Sequence, residues 1–314
     1  MKTKLQNAAH TVIHDCLKIQ KYEKVVIVVD EPCRLVGEAL WDAAKKIVDP
    51  IIIEISPRSI HGEEPPPLIA EVIRKSDVFI LPTSRSLTHT RARIEANKHG
   101  ARGATMPGIT PEIMTRSLNA DYRRIARVTE RLAEILSRGR KARIETGTGA
   151  HLELSLMRRK GYIDTGLLHT PGAFSNLPGG EAYIAPEETQ SNGKVVFDGS
   201  FAPVGFLRKP VTLHVKKGRI MKITGNKNLQ TIFGKYGIRE RVLCELGIGT
   251  NPSAKITGNV LEDEKTLGSI HLAFGNNLGF GGRNKARIHL DGVIRKPTIY
   301  IDETLIIKKG KFLL

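Results

Sequence analysis

The sequence predicts an α/β protein, with a doubly wound parallel sheet in the N-terminal half and a strand-rich, mixed α/β C-terminal half. Three observations carry this expectation. Helix-like and strand-like patterns alternate through residues 1–138, short strands dominate from residue 139 onward, and glycine clusters punctuate those later strands. At 314 residues the chain has room for two domains, each with its own core.

The elements follow in order. Leu5, Ala9, Val12, Ile13, Cys16 and Leu17 mark one face of an amphipathic helix. Val25 to Val29 is a continuous apolar run ending in Asp30, the pattern of a strand buried on both faces. A helix is expected over 34–47 and a second strand over 51–55. Three prolines, Pro65 to Pro67, break the chain before a helix over 68–75 and a strand over 78–81. Residues 88–99 read as a helix, 101–106 as a short strand, and 110–137 as one or two helices. Such alternation with short links builds a parallel sheet covered by helices, so residues 1–138 read as a flavodoxin-like or Rossmann-like domain. In the second domain, 139–314, strands are expected over 142–145, 151–156, 183–185, 195–197, 211–215 and 220–223. Lys216-Lys217-Gly218-Arg219 makes a hairpin turn, residues 229–236 a helix, and the tail from Thr298 is strand-like again.

Composition excludes several classes. No apolar stretch reaches the roughly 18 residues of a membrane span, and the N-terminus lacks the features of a signal peptide. Cys16, Cys33 and Cys244 are scattered and odd in number, which fits a reducing cytoplasm. The net charge of +17 raises nucleic-acid binding. The densest basic run, Arg123 to Arg143, has Glu130 and Glu134 mixed into an amphipathic helix, and aromatics are only 5% of the chain. A solvated helix face is the better reading, and nucleic acid is not expected as a partner. No Gly-x-Ser-x-Gly elbow, phosphate loop or dinucleotide fingerprint is present, which counts against serine nucleophiles and nucleotide binding. Cys244 sits in an apolar run and reads as an inert buried thiol.

The chemistry gathers in the second half. His289 and Asp291 are two apart in a strand-like run, so imidazole and carboxylate point the same way. His271 lies in the same glycine-punctuated stretch, 268–291. Glu181 precedes Ala-Tyr-Ile-Ala, and Glu245 stands between Val-Leu-Cys and Leu-Gly-Ile, each beside glycines that read as tight turns. A carboxylate in apolar surroundings is costly unless paired or bound to a cation. Three carboxylates and two neutral imidazoles therefore call for one or two divalent ions: zinc, cobalt, manganese or ferrous iron. Other histidines carry less. His10 and His14 are at helical spacing without a carboxylate partner, and His151 and His214 sit in strands with no glycine setting. His61 and His89 follow strand ends of the first domain, an edge where ligands bind in open α/β sheets, which allows a substrate-side role.

At these motifs the chain resembles the thermophilic, aminopeptidase T-like metallopeptidase family, as a short variant. The resemblance runs through Asn176-Leu177-Pro178-Gly179-Gly180-Glu181, Ile184-Ala185-Pro186, Glu245 to Asn251, Asp263-Glu264-Lys265, Gly268 to Gly275 and His289-Leu290-Asp291. It is looser at Thr88-His89-Thr90 and Gly100-Ala101-Arg102. The resemblance implies a homodimeric metallo-aminopeptidase with a cocatalytic ion pair held by Glu181, Glu245, His271, His289 and Asp291. Small peptides would lose their N-terminal residues to metal-activated water. Glu264 is a candidate general base, or else a structural partner of Lys265.

One departure favours a second reading. The peptidases place a tyrosine seven residues after the first histidine, where this chain has Leu278, which cannot ligate. The same superfamily includes 2,5-dihydroxypyridine dioxygenases, which use one ferrous ion held by two histidines and an aspartate. His271, His289 and Asp291 would supply that facial arrangement. The expectation is thus a metallo-aminopeptidase first, an Fe(II) ring-cleaving dioxygenase acting on another small molecule second, and a basic non-enzymatic binding protein third.

Overall fold

The computed structural model describes residues 3–313. The chain divides into two compact units. One comprises the residues up to Ala126 together with Asp164–Gly179; the other comprises Arg127–Ile163 and the residues from Gly180 onward. The sequence had suggested a single cut between residues 138 and 139. The division differs because Phe174–Asn176 forms a strand that pairs in parallel with Arg102–Thr105.

The first unit is a five-stranded parallel sheet in the order Ile51–Ile55, Val25–Asp30, Val78–Leu81, Arg102–Thr105, Phe174–Asn176. With its strands numbered in turn, this is the doubly wound 2-1-3-4-5 order. The continuous apolar runs take the interior places, and every residue of Val25–Asp30 and Val78–Leu81 is buried. The edge strand Ile51–Ile55 is mostly open, with Ile51 exposed. Helices Arg34–Ala44, Pro67–Lys75, Arg91–Lys98 and Pro111–Ser117 link the strands. Thr90 and Thr110 cap the last two, their hydroxyls accepting from the backbone N–H groups of Arg93 and Ile113. The N-terminal amphipathic pattern forms helix Lys4–His10 and continues as a wider π-helical turn, Thr11–Cys16.

The second unit holds two antiparallel sheets that share one apolar core. The eight-stranded sheet contributes Ile144, Leu152, Leu154, Leu213 and Ile299 to that core. The seven-stranded sheet contributes Ile184, Leu246, Ile248, Leu272 and Phe274. Edge-to-face contacts among Phe197, Phe201, Phe233 and Phe274 fill its centre. The run from Glu245 to Thr250, read from its glycines as a turn, is instead largely a fully buried strand, Leu243–Gly249.

Candidate metal centre

Four neighbouring strands of the seven-stranded sheet carry the donors: Glu181–Ile184, Leu243–Gly249, Ile270–Gly275 and His289–Ile294. Strand alternation assigns the faces. Ala182, Ile184, Leu272 and Phe274 belong to the core, so Glu181, Tyr183, His271, Ala273 and Gly275 project from the opposite face. Asp291 pairs with Ala273 and His289 with Gly275. These small neighbours leave room above the sheet for imidazole and carboxylate.

A β-bulge aims Glu245. Leu243 pairs with Phe274 and Glu245 with Ala273, so Cys244 is one residue too many on its strand. Leu243 and Leu246 can then both reach the core while Glu245 turns to the donor face. Gly247 and Gly249 serve close approach within this strand rather than a turn. A Cβ on Gly247 would run into the His271 imidazole, and one on Gly249 into the backbone of residues 264–266.

The donors form a continuous run. His271 Nε2 is 3.3 Å from Glu245 Oε1, and Glu245 Oε2 is 3.1 Å from His289 Nε2. His289 Nε2 is in turn 3.3 Å from Asp291 Oδ1. At the other end, Glu181 Oε2 lies 3.6 Å from His271 Nε2, while Glu181 Oε1 is 2.6 Å from the Lys265 ammonium. The ammonium is also 3.3 Å from Glu264 Oε2. The structure thus brings together all five residues singled out from the sequence, with Glu264 beside them. Two trios each have one donor atom per residue within 4.8 Å of one another: Glu181, Glu264 and His271, and Glu245, His289 and Asp291.

Electrostatics follow from this alternation of acid and imidazole. Burial alone would lower the His271 pKa, but the hydrogen bond to Glu245 and the charges of Glu181 and Glu264 push it up to about 9. For His289, burial again opposes the shift, and Asp291 leads the forces that raise it. Burial works against ionised Glu245, yet its two imidazole partners hold it down at about 2. Asp291 is likewise lowered, His289 outweighing burial. Glu264 goes the other way, raised by burial first and then by the Asp291 charge, to about 8. The Cys244 thiol is pushed up by burial to about 11.

The arrangement fits a cation. Two donors at right angles on an ion, with bonds of about 2.1 Å, are about 3 Å apart, close to the spacings along this run. Glu181 Oε2 is buried without a hydrogen bond, as is His271 Nδ1, and a cation would satisfy the carboxylate oxygen. His289 Nδ1 donates to the Asn276 carbonyl at 2.8 Å, so the Nε2 lone pair faces the centre.

An aromatic wall adjoins the donors. Tyr183 stacks on Tyr162 at 5.7 Å between ring centroids, and Phe280 meets Tyr183 edge-on at 5.5 Å and His289 at 6.1 Å. The loop bearing Phe280 is tied to Glu188, which accepts from the Arg283 backbone N–H at 2.6 Å and from Asn277 Nδ2 at 3.2 Å. Leu278, in the same turn, is half exposed. The sequence reading missed Tyr183 and Phe280 and saw Lys265 only as a partner of Glu264. Tyr183 was legible, two residues after Glu181 and therefore on its face; Phe280 carried no periodic signal.

The remaining candidates lie elsewhere. His61 Nδ1 accepts from the Ser86 backbone N–H at 3.1 Å, and His89 is exposed. His10 and His14 are exposed and stacked at 3.9 Å. His151 and His214 are exposed on strands of the eight-stranded sheet. Asp263 accepts from the backbone N–H groups of Thr257 and Gly258 and so braces a loop. Arg123, Arg124, Arg127, Arg131 and Arg138 are all exposed. No helix among the described residues is long and apolar enough to cross a membrane.

The family model described as 2,5-dihydroxypyridine 5,6-dioxygenase (NicX) matches residues 18–314. A curated 2,5-dihydroxypyridine 5,6-dioxygenase of Pseudomonas putida strain KT2440 is 25% identical over 217 residues. The match covers 64% of this chain and 61% of the relative's length. The solved structure of a 2,5-dihydroxypyridine dioxygenase from the same organism superposes with a TM-score of 0.82 at 17% identity, covering 100% of this chain and 98% of that one. Wild-type AmpT from Thermus thermophilus superposes with a TM-score of 0.75 at 16% identity, covering 99% of each chain. At such identity these two structures show a shared fold. The expectation of a metallo-aminopeptidase, a proteolytic hydrolase, is overturned by the family model and the curated relative. It arose because the peptidase resemblance rested on short sequence motifs, while solved structures of both a dioxygenase and AmpT share the fold that carries them.

Proposed function

The chain belongs to the 2,5-dihydroxypyridine 5,6-dioxygenase family, and from that premise we propose that it is an oxygenase that opens a dihydroxylated nitrogen-heteroaromatic ring. The lead substrate is 2,5-dihydroxypyridine. The observation that carries the reading is the run of donors at 3.1 to 3.3 Å that joins His271, Glu245, His289 and Asp291. His271, His289 and Asp291 would hold ferrous iron, with Glu245 between the imidazoles and Glu181 Oε2 at the margin. When bound, that ion supplies the one-electron chemistry that lets dioxygen react with a closed-shell ring.

The protein's own groups set the rest. The Asn276 carbonyl fixes the His289 tautomer, and the packing of Gly247 against the imidazole fixes the His271 ring. Tyr183 and Phe280 offer flat faces and edges to a planar substrate beside His289. Glu264, with its pKa raised to about 8, can hold or release a proton near neutral pH. The homodimer and the cytoplasmic setting expected from the sequence remain part of this reading, and sedimentation of the purified protein decides the former.

The deciding experiment loads the protein anaerobically with Fe(II), adds 2,5-dihydroxypyridine and follows oxygen uptake with loss of the ring's ultraviolet absorbance. Stoichiometric oxygen consumption supports the reading. Fe(II)-loaded protein that consumes no oxygen with any dihydroxypyridine overturns it.

A further inference from the structure

We propose that Arg159 and Glu188 are positioning residues that pin the loop 276–284 as a pre-formed wall, so that the substrate ring is selected by a fixed slot rather than by a closing lid. Arg159 Nη2 is 2.5 Å from Glu188 Oε2, and the two side chains are only 9% and 18% exposed. The adjacent pair, Arg158 with Glu187, leaves its arginine 85% exposed. Exposed pairs contribute little, so any constraint falls to the inner pair. Each of its members also holds the loop directly. Glu188 Oε1 accepts from the Arg283 backbone N–H and from Asn277 Nδ2, while Arg159 Nη1 donates to the Gly281 carbonyl. Three loop residues thus hang on one ion pair. Burial works against the Glu188 charge, and the Arg283 N–H leads the contacts that hold its pKa below the ordinary value.

The loop is built to keep one shape. Asn277 is fully buried, and its amide donates to the Cys244 carbonyl at 3.4 Å. Its backbone N–H donates to the Asn284 carbonyl at 3.1 Å, and its Oδ1 accepts from the Asn284 N–H at 2.8 Å. Gly281 has a φ of +87°, and a Cβ on Gly282 would run into the Asn277 amide. Phe280 is thereby set edge-on to Tyr183 and His289. At the root of the loop, His289 Nδ1 keeps its own bond to the Asn276 carbonyl. The ion pair therefore governs the substrate face, while the metal ligand has a separate tether.

The inference rests on the reading of this wall as the substrate face, and its test includes a measurement that needs no turnover. Hydrogen exchange is followed by mass spectrometry on Fe(II)-loaded parent, Arg159→Met and Arg159→Lys proteins without substrate. Peptides over 277–283 should be protected in the parent and exchange about tenfold faster in R159M, with 270–275 unchanged. Oxygen uptake with 2,5-dihydroxypyridine should show KM raised about tenfold in R159M at unchanged kcat and iron content. R159K, which keeps the charge but not the fork, should recover part of the loss. A folded R159M that keeps the parent's KM or the parent's loop exchange overturns the proposal, and so does one that loses its iron. If R159M does not fold, the parent decides: unprotected amides over 277–283 overturn the proposal, and protected amides unaltered by added 2,5-dihydroxypyridine support it. A parent that oxidises no dihydroxypyridine sinks the functional reading, while faster loop exchange in R159M would still uphold the pinning.

Discussion

Gly247 lies directly opposite His271 in the antiparallel register, and the imidazole occupies the space a side chain on Gly247 would need. Gly247→Ala should push the ring off the donor run. Overpacking of this kind costs about 1–3 kcal/mol of stability, and metal affinity should fall by about 10- to 100-fold. Calorimetric titration with Mn(II) and thermal unfolding of the same samples measure both. Unchanged affinity would mean that the His271 ring is free to move without consequence.

His289 touches both Glu245 and Asp291. His289→Ala should therefore abolish metal retention through gel filtration, with the parallel-sheet unit still folded by circular dichroism. Asp291→Asn should be nearly as damaging, because an amide oxygen is an uncharged, weaker donor. Equal metal content in parent and variants would show that the donor assignment is wrong.

The pH behaviour of the metal-free protein follows from His271. Its folded pKa of about 9 lies above the roughly 6.5 of an unfolded histidine. The resulting stabilisation is fully present below about 6.5 and is lost as pH rises through about 9. The melting temperature of the apo protein should accordingly decline across that window. Metal must displace the same proton, so affinity should climb over the same range, with proton release visible in buffers of different ionisation enthalpy. A flat affinity profile between pH 6.5 and 9 would contradict this.

Phe280 meets both Tyr183 and His289 edge-on. Phe280→Ala should raise KM for dihydroxypyridine about tenfold, in line with the roughly 0.5–1.5 kcal/mol of an aromatic contact plus lost burial, while the iron content stays at the parent value. Loss of iron instead would assign the ring to support of His289.

Cys33 and Cys244 are buried, with thiols pushed up by that burial to about 12 and about 11. Native protein at pH 8 should react with a disulfide reagent orders of magnitude more slowly than urea-unfolded protein. Rapid native labelling would reveal an opening of the Cys244 bulge.

Much of the first unit was legible because each of its first four strands is a short run bounded by clear punctuation. Val25–Asp30 and Val78–Leu81 are wholly apolar up to their ends, and such runs fit only a sheet covered on both sides. Phe174–Asn176 was not legible, since three residues carry no period and its partner lies some seventy positions earlier. The five donors could be read because acids and imidazoles stand out in apolar surroundings. Leu243–Gly249 was misread because its glycines answer to His271 and to the 264–266 backbone, neighbours that only the pairing of distant strands supplies. The contact of Lys265 with Glu181 was hidden for the same reason, since sequence adjacency linked that lysine to Glu264 but not to Glu181.

The late arrival of Phe174–Asn176 in the five-stranded sheet bears on how the molecule is made. While the ribosome is still adding residues 127–173, the nascent N-terminal segment holds Arg102–Thr105 as an unfinished edge, its backbone ready to accept a stranger. A fragment ending at residue 138 would keep that edge for good and should aggregate on expression. Isolating the first unit therefore requires joining Ala126 to Asp164 through a linker and ending after Gly179, rather than a stop codon after residue 138.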